Sequence, residues 1–304
     1  MGKIITIANQ KGGVGKTITA SSMASLLHSQ GHKILTISLD PQRNFDMVAG
    51  ELPSGEKVAL RRLDVNTPSM LHVMNNSYPI EEVIVHTQIG DLARASSQLT
   101  QWSGEQLLSR DEYLKVRDNL SELQAILDER ILNEYGSTAI LYQRLQTVKD
   151  NYEFILVDTN PSLTLLTINA LFAADYVIIP VFSEESSTTA MEEMNSTVKA
   201  LNVFLQNMGY SRRIKILGVL MTKCNIHGIA FKQHVALYKD YTARFMGTKL
   251  FDTKIRQSAR AADYVASGID LIRYDPKGKT TQDYIAFVQE FLSRIQEEEN
   301  HGKE

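Results

Sequence analysis

The chain has 304 residues, 22% of them charged and 43% hydrophobic, the balance of an ordinary globular protein long enough to bury one substantial core. No run approaches roughly eighteen consecutive apolar residues, which excludes a membrane-spanning helix. A single cysteine, Cys224, excludes a disulfide framework or a Cys-rich metal site within one chain. The net charge of −3 conceals an asymmetry: Lys199 to Lys279 holds 15 Lys and Arg against 5 Asp, a local +10 that leaves −13 elsewhere. Such a segment points to a polyanionic partner. The N-terminal MGKIITIANQKGG lacks the apolar stretch and cleavage site of a signal peptide, so the cytoplasm is the expected address.

Residues 3–8 (KIITIA) are the first of several short Ile- and Val-rich runs that read as strands buried on both faces. This run feeds straight into NQKGGVGKT and a helix expected over Lys16–Gln30, stopped by Gly31. The loop Lys11-Gly12-Gly13-Val14-Gly15-Lys16-Thr17 carries the Gly-Lys-Thr end of the Gly-x-x-x-x-Gly-Lys-Thr pattern, whose first position is relaxed here. Glycines there let successive backbone N–H groups turn inward around a phosphate, and the helix adds its positive dipole end. Lys16 can reach the β- and γ-phosphates and the Thr17 hydroxyl can bind Mg²⁺, so ATP with Mg²⁺ is the expected ligand pair.

The second strand is expected at 33–39 (KILTISL), and Asp40 follows it. A carboxylate at a strand's C-terminal end, held by Pro41, faces the phosphate edge and can orient an attacking water or serve the metal. Residues 51–70 carry Pro, Gly and mixed charge and read as a mobile connection. Residues 104–150 are helical in composition and long for one crossover, so two helices broken near Tyr135-Gly136-Ser137 are expected. EFILVD (153–158) is a strand ending in Asp158, the pattern of a carboxylate that supports Mg²⁺, and it is expected beside the loop strand. YVIIPV (176–181), a helix over Thr188–Asn207 and KILGVLM (215–221) continue the alternation, and QEEENHGKE (296–304) reads as a frayed helix end. The alternation predicts one α/β domain over 1–304: a doubly wound, mostly parallel sheet with helices on both faces and its ligand at the strands' C-terminal ends.

Lys11 makes this a loop with two lysines, five residues apart. With it the sequence resembles the deviant Walker A ATPases of the ParA/MinD group, in which the earlier lysine reaches across a dimer interface to the partner's nucleotide. Asp40-Pro41-Gln42 and Asn44 resemble the group's Asp-Pro-Gln-x-Asn segment, tied there to hydrolysis and the dimer switch, with Arg43 where Gly is frequent. The group's Asp-x-Pro-Pro is matched from Asp158, with Asn160 replacing the first Pro. Thr222-Lys223 falls where related proteins present residues to the base. Ile255–Arg260 resembles an Ile-Pro-Arg-Asn-x-Arg segment, with Arg256 in the Pro position. The resemblance covers most of residues 1–48, 153–222 and 249–292.

The resemblance implies an ATPase in which Lys11, Lys16 and Asp40 are catalytic, and Thr17, Asp40 and Asp158 serve Mg²⁺. Lys11, Gly12, Gly13, Val14, Gly15, Lys16, Thr17, Ile18 and Thr222 would contact nucleotide in an ATP-dependent homodimer. Type Ib members begin with the phosphate-loop strand, as here, without an N-terminal helix-turn-helix domain. Their ATP-bound dimers bind DNA without sequence preference through C-terminal basic residues, which implies nucleoid association in the ATP state. Arg260 is the best match to such a contact, with Arg256, Lys254, Lys249, Arg212, Arg213 and Lys215 as further candidates. A ParB-like adaptor would stimulate slow hydrolysis and release the DNA. A positioning ATPase for a protein cargo would look nearly the same, and an ATP-dependent metabolic ligase of related fold would need a small-molecule pocket. The acidic tail argues against a MinD-like membrane helix, and one cysteine argues against a nitrogenase-iron-protein-like cluster.

Overall fold

The computed structural model describes residues 2–58, 67–103, 138–183, 187–226 and 229–301. Its strands are β1 (Lys3–Ile7), β2 (Ile34–Ser38), β3 (Ile84–Thr87), β4 (Gly90–Ala93), β5 (Phe154–Asp158), β6 (Tyr176–Phe182) and β7 (Lys215–Thr222). They form one sheet in the order β3-β4-β2-β5-β1-β6-β7, in which only the β3–β4 pair is antiparallel. The longer helices are α1 (Lys16–Ser29), α2 (Leu165–Ala173), α3 (Ser187–Asn207), α4 (Ile229–Tyr241), α5 (Arg260–Ser267) and α6 (Lys279–His301). All five expected strands, and the helices expected over Lys16–Gln30 and Thr188–Asn207, form within a residue of their predicted bounds.

Successive strand residues point to opposite faces, and each face has its own core. Ile5, Ile7, Leu156, Ile178 and Leu220 pack with Met23 and Leu27 of α1 and with Phe287, Val288 and Phe291 of α6. On the other face Ile4, Leu35, Ile37, Ile155 and Val157 pack against Leu166 and Ala170 of α2, and Val177, Ile179 and Val219 against Leu201 and Phe204 of α3. Every residue of α2 is buried, and its two polar residues are hydrogen-bonded, Thr167 to Asn160 and Asn169 to Leu165 O. β1 lies between β5 and β6, with Ile7 level with Asp158. The connections leave β1 in one direction and cross back over it, so the loop after β1 opens at the point where strand order reverses.

Three regions depart from expectation or go beyond it. β3 and β4 are four-residue strands that no periodic run announces. Residues 51–58 of the expected connection form a closed turn, with Leu52 N–H on Glu56 O and Val58 N–H on Gly50 O, both 2.9 Å. Residues 59–66 lie outside the described residues, as does 104–137 of the helical block with its expected break at Tyr135-Gly136-Ser137; Ile140–Gln146 is helical. The expected fraying at the C-terminus is corrected as far as His301: α6 continues through it, tied by Lys215–Glu298 at 2.6 Å and Lys3–Glu299 at 2.5 Å.

Beyond β7, residues 250–256 run alongside it, with Phe251 N–H on Val219 O, Ile255 N–H on Met221 O and Cys224 N–H on Ile255 O, each 2.9 Å. Gly218 permits that approach. A Cβ there would stand 2.9 Å from Lys249 O and 2.7 Å from Phe251 Cε2. Gly218→Ala is expected to destabilise the fold by about 1–3 kcal/mol through overpacking. Urea denaturation reads this as a lowered midpoint, and an unchanged midpoint contradicts the close approach.

Candidate nucleotide site

The chain leaves β1 at Ile7 and turns back on itself before α1 begins at Lys16. Gly15 makes this turn in the left-handed region, at φ 89°, where a side chain would also press on Ile18 Cγ2 at 3.3 Å. Gly13 is left-handed too, whereas a Cβ at Gly12 would meet only Pro161 Cβ, at 3.8 Å. Asn9 braces the base of the loop: Nδ2 donates to Pro180 O at 2.6 Å, and Oδ1 accepts Lys11 N–H at 2.8 Å. Lys16 folds inward, its Nζ donating to Asn9 O and Lys11 O at 2.9 Å each. An ammonium has three donors, so one remains for a phosphate.

Asp158 ends β5 beside the loop and is fully buried. Its Oδ2 accepts from Thr17 Oγ1 at 2.9 Å, while its Oδ1 is buried with no hydrogen-bond partner. Asp40 comes from the end of β2, and its oxygens accept from Gln42 N–H at 2.9 Å and Asn44 Nδ2 at 2.8 Å. Burial, with a smaller contribution from the Asp40 charge, pushes the Asp158 carboxyl up to about 7. Burial pushes Lys16 down to about 8, against the pull of Asp158 and then Asp40. An unpaired carboxylate oxygen beside a hydroxyl fits a Mg²⁺ ion that also binds phosphate. Among the described residues no cluster of three or more His, Cys, Asp or Glu forms a separate metal cage.

A cavity of about 420 Å³ opens in front of this corner, the size of a small-ligand pocket. Its lining includes Gly13, Gly15, Lys16, Thr17, Ile18, Asp40 and Asn44, together with Thr222, Lys223, Ile255–Ser258, Tyr264, Val265 and Tyr284. The Thr222 hydroxyl donates to Val14 O at 2.8 Å, tying β7 to the phosphate loop. Asn9, Tyr264 and Tyr284 were not among the expected residues: Asn9 braces the loop through side-chain and backbone atoms, and the tyrosines belong to no local motif.

The basic residues expected at DNA differ in their surroundings. Arg212, before the start of β7, stacks 4.1 Å from the Tyr142 ring centre and 5.1 Å from that of Phe172, and donates to Ala174 O and Phe172 O. Arg256 lies along the cavity, gripped by both oxygens of Asp283 and by Lys279 O. Lys254 Nζ donates to the carbonyls of Phe251 and Asp252. In these three the cation is engaged by groups of the fold itself. Arg213 and Lys249 are exposed. Arg260 opens α5 with 66% of its side chain exposed, 3.0 Å from Asp275 Oδ1.

The buried charges are expected to give nucleotide binding a pH optimum. Asp158 takes up a proton below about pH 7, which opposes Mg²⁺ binding, and Lys16 gives one up above about pH 8, which opposes phosphate binding. Nucleotide affinity, titrated with Mg²⁺ present, is expected to peak between these values and to fall by up to about tenfold per pH unit on the alkaline side. A flat profile from about pH 6 to 9 contradicts the burial of these charges.

A family model described as AAA domain matches residues 2–208, more than half of the chain. The chromosome partitioning protein ParA of Myxococcus xanthus is 27% identical over 97% of this chain and 89% of its own. The sporulation initiation inhibitor protein Soj of Bacillus subtilis is 28% identical over 95% and 98%. Among solved structures, apo McdA of Cyanothece has a TM-score of 0.70 at 20% identity, covering 96% of this chain and 100% of that one. The cobyrinic acid a,c-diamide synthase of Mycobacterium smegmatis, with bound ADP and magnesium, has a TM-score of 0.67 at 22% identity, covering 97% and 96%. These two show likeness of fold. The chain belongs to the AAA domain family, as a ParA/MinD-like partition ATPase with two lysines on its phosphate loop.

Proposed function

We propose that this protein is an ATP-dependent dimerising switch that binds non-specific DNA and drives plasmid or chromosome partition with a ParB-like adaptor. The observation that carries this reading is the pair of lysines on one loop: Lys16 turned inward on the loop's own carbonyls, and Lys11 five residues earlier. In the proposed cycle Lys16 and the loop N–H groups hold the ATP phosphates, and Lys11 completes the site of the partner subunit. Thr17 and Asp158 would hold Mg²⁺, which neutralises charge on the β- and γ-phosphates. Asp40 orients the water that attacks the γ-phosphorus as the bond from that phosphorus to the bridging oxygen breaks.

Dimerisation brings basic residues of two chains onto one duplex, so DNA affinity follows the nucleotide. Among Arg212, Arg256 and Arg260, the last has the most exposed guanidinium. Phosphate would compete with Asp275 for it. Partition is also the role named for the Myxococcus relative. Likeness of fold to cobyrinic acid a,c-diamide synthase supports a second reading, an ATP-dependent metabolic ligase, whose turnover would need a small acid and ignore DNA.

The test uses the Asp40→Ala protein, expected to hold ATP with little turnover, titrated with non-specific duplex DNA at two salt concentrations. Binding with ATP and Mg²⁺ but not with ADP, weakened by salt, is expected. Arg260→Ala in that background is expected to weaken binding and reduce the salt slope by about one. DNA binding that is absent in both nucleotide states, with an ATP dimer still forming, overturns the DNA-binding switch.

A further inference from the structure

Arg43 is a non-glycine residue at φ 56°, in the left-handed region, at a strain of about 1–2 kcal/mol. Such a conformation persists only where its surroundings over-determine it, and here they do. Arg43 Nε and Nη2 both donate to Asp46 Oδ2, at 3.0 and 2.9 Å. Arg94 Nε donates to the same oxygen at 3.1 Å, and Arg94 Nη2 donates to Val58 O at 3.1 Å. The Asp46 and Arg94 side chains are 1% and 2% exposed. Arg94 directly follows β4, whose Ala93 is level with Ile37 of β2, so its base is fixed to the sheet.

The turn that Arg43 belongs to carries Asp40. It is closed on itself by Gln42 N–H on Asp40 Oδ1, Asn44 Nδ2 on Asp40 Oδ2 and Arg43 N–H on Asp40 O at 2.8 Å. A closed turn keeps its shape but can swing as a unit. Its entry is fixed by β2, and its exit by Arg43, Asp46 and Arg94. None of these three side chains lines the cavity. A largely buried ionic triad is a poor source of stability, because well-packed apolar residues of the same volume are often as stabilising. Its use is geometric.

We infer that Arg43, Asp46 and Arg94 form a clamp that positions Asp40 for ATP hydrolysis without touching nucleotide or water. The inference rests on the proposed reading of Asp40 as the water-orienting group. A glycine in place of Arg43 would take the left-handed turn without strain but would supply no tether; arginine supplies the tether. The two properties are separable by substitution.

The experiment compares the full-length protein with Arg43→Ala, Arg43→Gly and Arg43→Lys. It reads steady-state ATP hydrolysis, ATP affinity by titration calorimetry and amide hydrogen exchange across residues 40–46. Arg43→Ala and Arg43→Gly are both expected to lower kcat by about tenfold or more, with ATP Kd changed by less than about twofold. In both variants the backbone amides at positions 42 and 43 should exchange faster, while α1 keeps its protection. Arg43→Lys, which retains a charge on Asp46, is expected to restore part of kcat. Parent turnover and parent exchange in Arg43→Gly overturn the clamp, because the left-handed turn alone would then suffice. If the parent itself fails to hydrolyse ATP, the reading of Asp40 fails. The exchange comparison still decides the clamp: faster exchange supports it, and unchanged exchange overturns it.

Discussion

Lys16, Asp40 and Asp158 are buried together in one corner of the sheet, and the structure around them is arranged to keep two carboxylates and an ammonium out of water. Lys16 is held by two carbonyls of its own loop, Asp158 by Thr17, and Asp40 by its own turn. One oxygen of Asp158 has no partner, and one donor of Lys16 is left over. A phosphate and a divalent cation would supply partners for these atoms. Burial therefore does two things at once: it makes the site expensive to hold, and it makes the gain on ligand binding large.

The strands then act as supports for those groups. Asp158 and the loop are neighbours because β5 and β1 pair in register, and Thr222 closes the loop from the opposite side because β7 ends level with β6. Gly218 extends this by letting the 250–256 segment lie along β7, which delivers Ile255–Ser258 to the cavity. The same segment carries Lys254 and Arg256, whose positive charges are used for packing and pairing.

Legibility in the sequence followed the physics. β1, β2, β5, β6 and β7 are continuous Ile, Val and Leu runs buried on both faces, so composition alone marks them. The phosphate loop is legible because its glycines, lysine and threonine must sit at fixed spacing. β3 and β4 are not, since four-residue strands such as GDLA carry no period. Tyr264 and Tyr284 reach the cavity from C-terminal helices, and nothing local in their sequence records that approach. Charge counting over Lys199–Lys279 located a basic segment but not the partners of its cations. Arg212 shows why: its neighbours in space are Tyr142 and Phe172, far away in sequence, and they claim its guanidinium. Asp46 and Arg94 are the same case, an ion pair separated by 48 residues that is meaningful only once β2 and β4 are adjacent.

In the proposed switch Lys11 is the residue that makes this loop serve two chains, and the proposal stands or falls with it. The most direct measurement is sedimentation velocity of the parent and of Lys11→Ala, each with Mg²⁺ and either ATP or ADP, with nucleotide binding followed on the same samples. A switch of this kind predicts a dimer for the parent with ATP alone, and a monomer for Lys11→Ala that still binds nucleotide. A Lys11→Ala protein that dimerises with ATP as the parent does would contradict it.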